Sequence, residues 1–323
     1  MKKISDKITN YIRTIHSFGI TLAFSKLCNI MWSYERHPGE FAWLLFQNRV
    51  NITISVIEKK YGKIIKDFQK YSLRKEVDID VLKDLYIWTM WWQGEMPELV
   101  KMCISAMKVH SGGKQVIVLT EKNYRNYIEI PEYITKKIEK GLISLTHLSD
   151  IVRMCVLEKW GGCWLDATVL PIRNIDEVIL RSAYYTGKLP QKRIECISYG
   201  RWCGFLMSGD PNGILFRFAS EFLREYWKRE NCLIDYFLID YIIQLAYLHF
   251  NEFYEQYHSI PYNNPDILEL EKLLNDEIDY DTFEEMTLNT SFFKLNWKAT
   301  HTKKTQRGTS TYYGYLVDKY LTM

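Results

Sequence analysis

The residues of this chain whose types and spacing could do chemistry fall into two groups. In Ser149-Asp150-Ile151-Val152-Arg153 an acid and a base stand three positions apart. On a helix they share one face, where the plainest role is an ion pair worth roughly 0.2–0.5 kcal/mol. Shortly after, Gly161-Gly162-Cys163-Trp164-Leu165-Asp166-Ala167-Thr168 runs from paired glycines through a β-rich triplet into a carboxylate. Asp166 is thereby placed at the carboxyl end of a strand, where open α/β sheets gather their ligands. Alone, it could equally cap the turn before Pro171. Far along the chain, Lys294, Lys298, His301, Lys303, Lys304 and Arg307 crowd into a short stretch without helical periodicity, which reads as an anion-facing lid.

The elements that must position these groups begin at Asp84. Leu85 to Met90 is β-rich and stops at Gln93-Gly94; Pro97 opens a helix with Leu99, Val100, Cys103, Ile104 and Met107 on one face; Gly112-Gly113 precedes the strand Val116 to Leu119. A strand, a crossover helix and a second strand imply a parallel pair and a layered α/β core. Ile134 to Glu139 and His147 to Trp160 predict two further helices, each stopped by glycine. Strands are expected near Ala183 to Thr186 and Gly204 to Met207, and helices over Pro211 to Arg229 and Asp235 to Phe250. Residues 1–80 are helical in period and carry no chemical motif. They predict a cap on the core, or a docking surface for a membrane or partner, with 81–323 as the catalytic domain.

Composition narrows the class. Of 323 residues, 47% are hydrophobic and 25% charged, with 16 Gly and 8 Pro, which is enough to bury a large core and leaves no disordered tract. A net charge of +3 with both signs interspersed argues against nucleic acid. The cysteines 28, 103, 155, 163, 196, 203 and 232 lack metal spacing and read as buried thiols in a reducing compartment. Met1 to Asn10 is a poor secretory leader, and Lys26 interrupts the apolar run from Ser17 to Trp32, so the expectation is a cytoplasmic protein without a membrane span. No G-x-G-x-x-G follows a strand, which argues against a nicotinamide dehydrogenase.

Taken together, S-D-x-x-R followed by G-G-x-W-x-D-x-T resembles the capsular polysaccharide synthesis protein family, related to glycosyltransferases whose signature includes D-x-D. Trp88 to Gly94 with Pro97 to Val100 is similar to that family's first strand and nucleotide loop. Trp202 to Ser208, Asp235 to Asp240 and Lys294-Leu295-Asn296-Trp297-Lys298 resemble later family elements, so that residues 84–316 are covered. The resemblance implies a GT-A-like nucleotide-sugar-binding domain with a mostly parallel central sheet. It implies a hexosyltransferase-like activity from a UDP-sugar to a growing capsular or cell-surface polysaccharide, with retention and an Mn²⁺ or Mg²⁺ ion. Asp150 and Arg153 would hold the donor sugar and Asp166 would face the ribose and a metal-bound diphosphate. Ser149 and Trp164 share that motif.

Hard oxygen ligands suit such an ion, which makes Asp166 and Thr168 candidates, and His301 is a third candidate through a ring nitrogen. Many relatives carry a second carboxylate where this chain has Thr168, so coordination by two acids is not expected. Trp91, Trp92 and Gln93 could meet the base, since an aromatic face offers roughly 1–3 kcal/mol of stacking, although one of two adjacent Trp should point into the core. Lys294, Lys298 and His301 could clamp the leaving diphosphate, with Trp297 stacking or closing the site. Asp240 could act as the acceptor's base, while Asp235 suits a helix cap. The acceptor would be a saccharide, lipid-linked, with the N-terminal helices lying at the inner face of the membrane. A catalytically silent scaffold and a protein-modifying transferase are the alternatives.

Overall fold

The computed structural model describes residues 11–71, 86–175, 179–180, 182–189 and 196–322. Ile4, Ile8, Asp84, Leu85 and the expected boundary at residue 80 lie outside them.

Helix α1 (Ile20–Met31) and the long helix α2 (Glu40–Tyr71) pack against each other beside the core. The apolar row of α2, from Trp43 and Phe46 to Ile65 and Phe68, is buried in the main hydrophobic cluster. Each such large side chain contributes about 1.5–3 kcal/mol relative to exposure.

The β-α-β unit follows the sequence closely: β1 (Ile87–Met90), α3 (Glu98–Val109), β2 (Val116–Leu119). Pro97, which lacks an N–H, opens α3, and the left-handed Gly112 and Gly113 (φ 59° and 82°) reverse the chain before β2. Two helices come next, α4 (Glu132–Glu139) and α5 (Leu145–Trp160), the latter capped by the Ser144 hydroxyl accepting from His147 N.

Paired glycines turn α5 directly into β3 (Gly162–Leu165). Gly162 has φ 90°, and a Cβ there would stand 2.2 Å from the Tyr86 carbonyl oxygen, whose bond from Cys163 N joins the two chain segments. Only glycine combines that backbone with so close an approach.

After β4 (Val169–Pro171), strands β5 (Tyr184–Thr186) and β6 (Leu206–Gly209) complete a five-stranded sheet in the order β2-β1-β3-β6-β5. β1 is parallel to β2 and β3, while β6 runs antiparallel to both β3 and β5. β5 therefore points the same way as β1, β2 and β3, so only β6 departs from the expected parallel direction. Helices α6 (Ile214–Arg229), α7 (Leu238–His249) and α8 (Asn251–Ser259) cover the sheet. α2 packs on them through Tyr61 against Phe222 and Phe68 against Phe218 and Phe250.

Of the C-terminal cations expected to form an anion-facing lid, Lys294 and Lys298 line a cleft with Asp166, while the rest of the stretch is packed structure. Short helices α9 (Leu270–Leu273) and α10 (Tyr280–Asn289) lead to strand β7 (Phe292–Lys294) and then helix α11 (Tyr312–Leu321). Leu270, Phe283, Phe293, Tyr312, Leu316 and Val317 build a second cluster against Leu99, Met102 and Cys103 of α3. Lys303 pairs with Glu98, and Lys304 and Arg307 line a separate cavity. The tail aromatics Tyr312, Tyr313 and Tyr320 belong to that second cluster.

Gly162→Ala should destabilise the protein by roughly 3 kcal/mol or more in denaturant titration, because backbone must move to admit the methyl. Gly113→Ala, with open space around its Cβ, should lose only the about 1–2 kcal/mol of left-handed backbone strain. Equal losses would contradict the close approach of Gly162 to Tyr86.

Candidate active site

Parallel register explains why distant residues meet. Ile87 lies beside Cys163 and Trp88 beside Trp164, so β1 and β3 end at the same edge of the sheet. Trp91, Trp92 and Gln93 thus emerge next to Asp166. A two-stranded ribbon adds the third component: β4 pairs antiparallel with β7, with Val169 opposite Lys294. Leu295 N donates to the Thr168 carbonyl at 2.9 Å, so the Lys294-to-Lys298 segment is tied to the turn that follows Asp166.

These segments enclose a cleft of about 340 Å³ lined by Trp91, Trp92, Gln93, Ser149, Arg153, Trp164, Asp166, Thr168, Lys294, Trp297 and Lys298, with Met90, Leu145, Thr146, Ala167, Leu295 and Asn296. Most of the residues singled out in the sequence are brought together here.

Asp166 is the hub. Its Oδ1 accepts from Trp164 Nε1 at 2.9 Å and Arg153 Nη2 at 3.1 Å, and its Oδ2 accepts from Lys294 Nζ at 2.9 Å. Burial raises its pKa, but the Lys294 and Arg153 charges and the Trp164 bond outweigh that and hold it at about 2. Lys294 Nζ also donates to Thr168 Oγ1 at 2.7 Å. Arg153 reaches back to Asp150 at 3.3 Å and lies over the Trp164 ring at 5.1 Å. Asp150 in turn is 3.5 Å from His147 Nδ1. The i,i+3 pair is therefore buried rather than a surface pair, and it orients the guanidinium.

Trp164 is fully buried and serves the site through its N–H, holding Asp166 in place. Trp91 is buried too, with its N–H on the Gly94 carbonyl and its ring edge-on to Trp297 at 5.3 Å. Trp92 and Trp297 are half-buried on the cleft wall, Trp92 against Tyr124 at 4.9 Å and Trp297 with Lys298 Nζ over its ring at 5.8 Å. Lys298 is exposed at the rim.

Four candidates stand apart from the cleft wall, the first being Asp150, which is buried behind Arg153 and holds that side chain instead of lining the cleft as a donor-sugar contact. His301 Nε2 faces the Asn296 carbonyl at 3.1 Å and Glu271 at 3.7 Å, away from Asp166. Asp235 pairs with Arg49 of α2 and accepts from Phe237 N at 3.0 Å, but it is not the expected helix cap, because α7 begins at Leu238 with Phe237 at its N-cap position and no side-chain cap bond. Asp240 accepts from Trp202 Nε1 at 3.0 Å. Burial first, then the like charge of Asp150, raises the Asp240 carboxyl to about 7. His147 and Trp202 are the supporting residues that sequence reasoning passes over; both are ordinary core types, and only the fold gives them partners.

The expected divalent ion does not fit this arrangement. Asp166 is the one acid on the cleft wall among the described residues, both its oxygens already have cationic or N–H partners, and Lys294 spans Asp166 and Thr168 where an ion would sit. His301 points elsewhere.

The sequence pattern of the capsular polysaccharide synthesis proteins matches residues 43–316. The chain belongs to that family. Its match opens inside α2, earlier than residue 84, so most of the long helix is part of what this capsular polysaccharide synthesis protein shares with its relatives. No curated protein matches it. A solved structure titled PaToxG Glycosyltransferase is similar over 62% of this chain and 79% of that one, with 13% identity and a TM-score of 0.36, a likeness too loose to bear on fold or function.

The raised Asp240 carboxyl has a defined stability signature. Folded protein holds a proton that the unfolded chain releases above its ordinary value of 3.8. That contribution is full below 3.8 and is lost as pH rises through about 7. Asp240→Asn keeps an acceptor for Trp202 and cannot titrate. Between about pH 5 and about pH 8 the wild-type melting temperature should fall by several degrees more than the variant's. Parallel curves would show that Asp240 does not titrate there.

Proposed function

We propose that this family member is a glycosyltransferase of the GT-A type that moves a sugar from a nucleoside diphosphate donor, UDP-linked by family resemblance, to a saccharide of the bacterial capsule or cell surface. The cleft at the carboxyl ends of β1 and β3 carries the reading. Its wall combines the half-buried Trp92 and Trp297 with Arg153 and Lys294 on Asp166 and Lys298 at the rim. Stacking suits a base, and convergent cations suit a diphosphate. Gln93, Ser149 and Asp166 offer hydrogen bonds to ribose and sugar hydroxyls. In this reading the helices before residue 81 support a catalytic domain over 81–323.

The transfer itself exchanges two bonds. The bond from the anomeric carbon to the diphosphate oxygen breaks, and the acceptor hydroxyl oxygen forms its bond on the same face. The hydroxyl proton passes to the departing phosphate oxygen, giving the nucleoside diphosphate. Retention of configuration is supported by the lack of a suitable base on the wall among the described residues: Asp166 is held ionised at about 2, and Asp240 stands off the cleft. Arg153 and Lys294 meet the growing negative charge from fixed positions, which is how such sites lower a barrier. Asp240 positions Trp202 behind them.

The acceptor reading extends to the surface. No described helix is long and apolar enough to cross a membrane. Yet α1 exposes Ile20, Phe24, Leu27, Ile30 and Met31, followed by Trp32, while burying the polar Ser25 and Asn29. An apolar patch of that kind suits the bilayer interface. Lys26 of α1 bonds the Ile234 carbonyl, and the adjoining Tyr236 packs on His147 near the cleft residue Leu145. That continuity suits a lipid-linked acceptor presented at the inner membrane face.

Calorimetry with a panel of UDP-, GDP-, CMP- and dTDP-sugars should find one selective donor, with affinity falling about tenfold or more in Asp166→Ala. Absence of binding by every donor would remove the transferase reading and leave a silent scaffold. Wild type should also sediment with vesicles of phosphatidylethanolamine and phosphatidylglycerol, whereas Phe24→Asp/Ile30→Asp should stay in solution with donor affinity unchanged. Equal sedimentation would exclude α1 as the contact.

A further inference from the structure

We infer that the ammonium of Lys294 is the resident cation of this site, and that the nucleoside diphosphate is bound without a divalent ion. The inference rests on the transferase reading and concerns how that cleft meets its anion.

Placement is the first argument. Lys294 Nζ lies 2.9 Å from Asp166 Oδ2 and 2.7 Å from Thr168 Oγ1, bridging the two side chains that an ion would need as ligands. Magnesium typically takes six oxygens at about 2.0–2.1 Å, and manganese is likewise an oxygen-seeking ion. The protein offers one carboxylate and one hydroxyl here, both already on the ammonium. Among the described residues, no group of three or more His, Cys, Asp or Glu could hold an ion elsewhere in the cleft.

The second argument is that Lys294 is built in. It closes β7 opposite Val169, and its N–H donates to the Ile267 carbonyl at 2.7 Å. Its ammonium also lies over the Phe205 ring at 5.2 Å. A lysine held at both ends of its side chain does not need to swing in when substrate arrives.

Charge completes the case. Thr168 is neutral where a second acid would be needed to offset a dication, so Asp166 is the one carboxylate on the cleft wall among the described residues, shared by Arg153 and Lys294, with Asp150 behind Arg153. With Asp150 paired to Arg153 at 3.3 Å, the two cations are matched by two acids, and what the cleft offers phosphate oxygens is the wall-lining guanidinium and ammonium together with Lys298 at the rim. An added dication would meet two fixed cations at close range and a single shared carboxylate.

The test is calorimetric titration of chelator-treated, full-length protein with UDP and GDP, in EDTA and again with Mn²⁺, alongside Mn²⁺ alone followed by electron paramagnetic resonance. Wild type should bind its preferred nucleotide with the same Kd, within about twofold, in EDTA and in Mn²⁺, and should leave the free-Mn²⁺ signal unchanged. Lys294→Met should weaken nucleotide binding about tenfold or more in both conditions. Lys294→Met/Thr168→Asp, which removes the ammonium and adds an acid, should make binding respond to Mn²⁺. Binding by wild type only with Mn²⁺, or Mn²⁺ captured by wild type without nucleotide, overturns the inference and keeps the transferase. Failure of every nucleotide in both conditions overturns the transferase reading itself. The comparison on wild type needs no variant, so misfolding of Lys294→Met does not blunt it.

Discussion

A half-buried carboxylate at the end of a central strand has to be balanced, and much of the molecule is arranged to balance Asp166. Taking a charge out of water costs several kcal/mol unless partners surround it. Trp164, Arg153 and Lys294 are those partners, drawn from the same strand, the preceding helix and the far C-terminal ribbon. Each is fixed by a different layer of structure: Trp164 by the fully buried β3, Arg153 by Asp150 and the buried face of α5, Lys294 by pairing of β7 with β4. The second hydrophobic cluster, in which α10 and α11 pack on α3, is what keeps that ribbon in place. Remove any layer and the carboxylate is left with an incomplete set of donors.

The same arrangement produces a site with its electrostatics set in advance. Cations that neutralise an acid remain partly available to an anion, and they do not have to reorganise when it arrives. Behind them, His147, Asp150, Trp202 and Asp240 form a supporting row of polar groups within the core. That row costs desolvation and fixes direction, the usual trade-off of buried polar networks.

What is legible in the sequence is mostly local. Gly161-Gly162 stops a helix and starts a strand because only glycine readily adopts that backbone, and the glycine pair alone therefore puts Asp166 at a strand end. The period of α3 and the run of β2 announce the β-α-β unit for equally local reasons. β4 and β7 are invisible at that level, since three residues are too few to show alternation and their pairing is entirely non-local. Lys294 can be singled out as a cation near an anion, but not as the partner of Asp166. The tail misleads because its cations are neighbours in sequence only: Lys303 pairs with Glu98, while Lys304 and Arg307 line a separate cavity. His301 misleads by chemical type alone.

The reach of the β4–β7 ribbon also sets when the cleft becomes complete. Thr168 and Lys294 are 126 positions apart, a span that takes roughly 6–25 seconds to synthesise at about 5–20 residues per second. A nascent chain that stops short of β7 already carries Asp166 and Arg153 but lacks Lys294 and Lys298, two of the three cations on the cleft wall among the described residues. Assembly of the cleft on the ribosome therefore waits for the ribbon, and an unfinished chain holds its acid without the lysine that pairs with it.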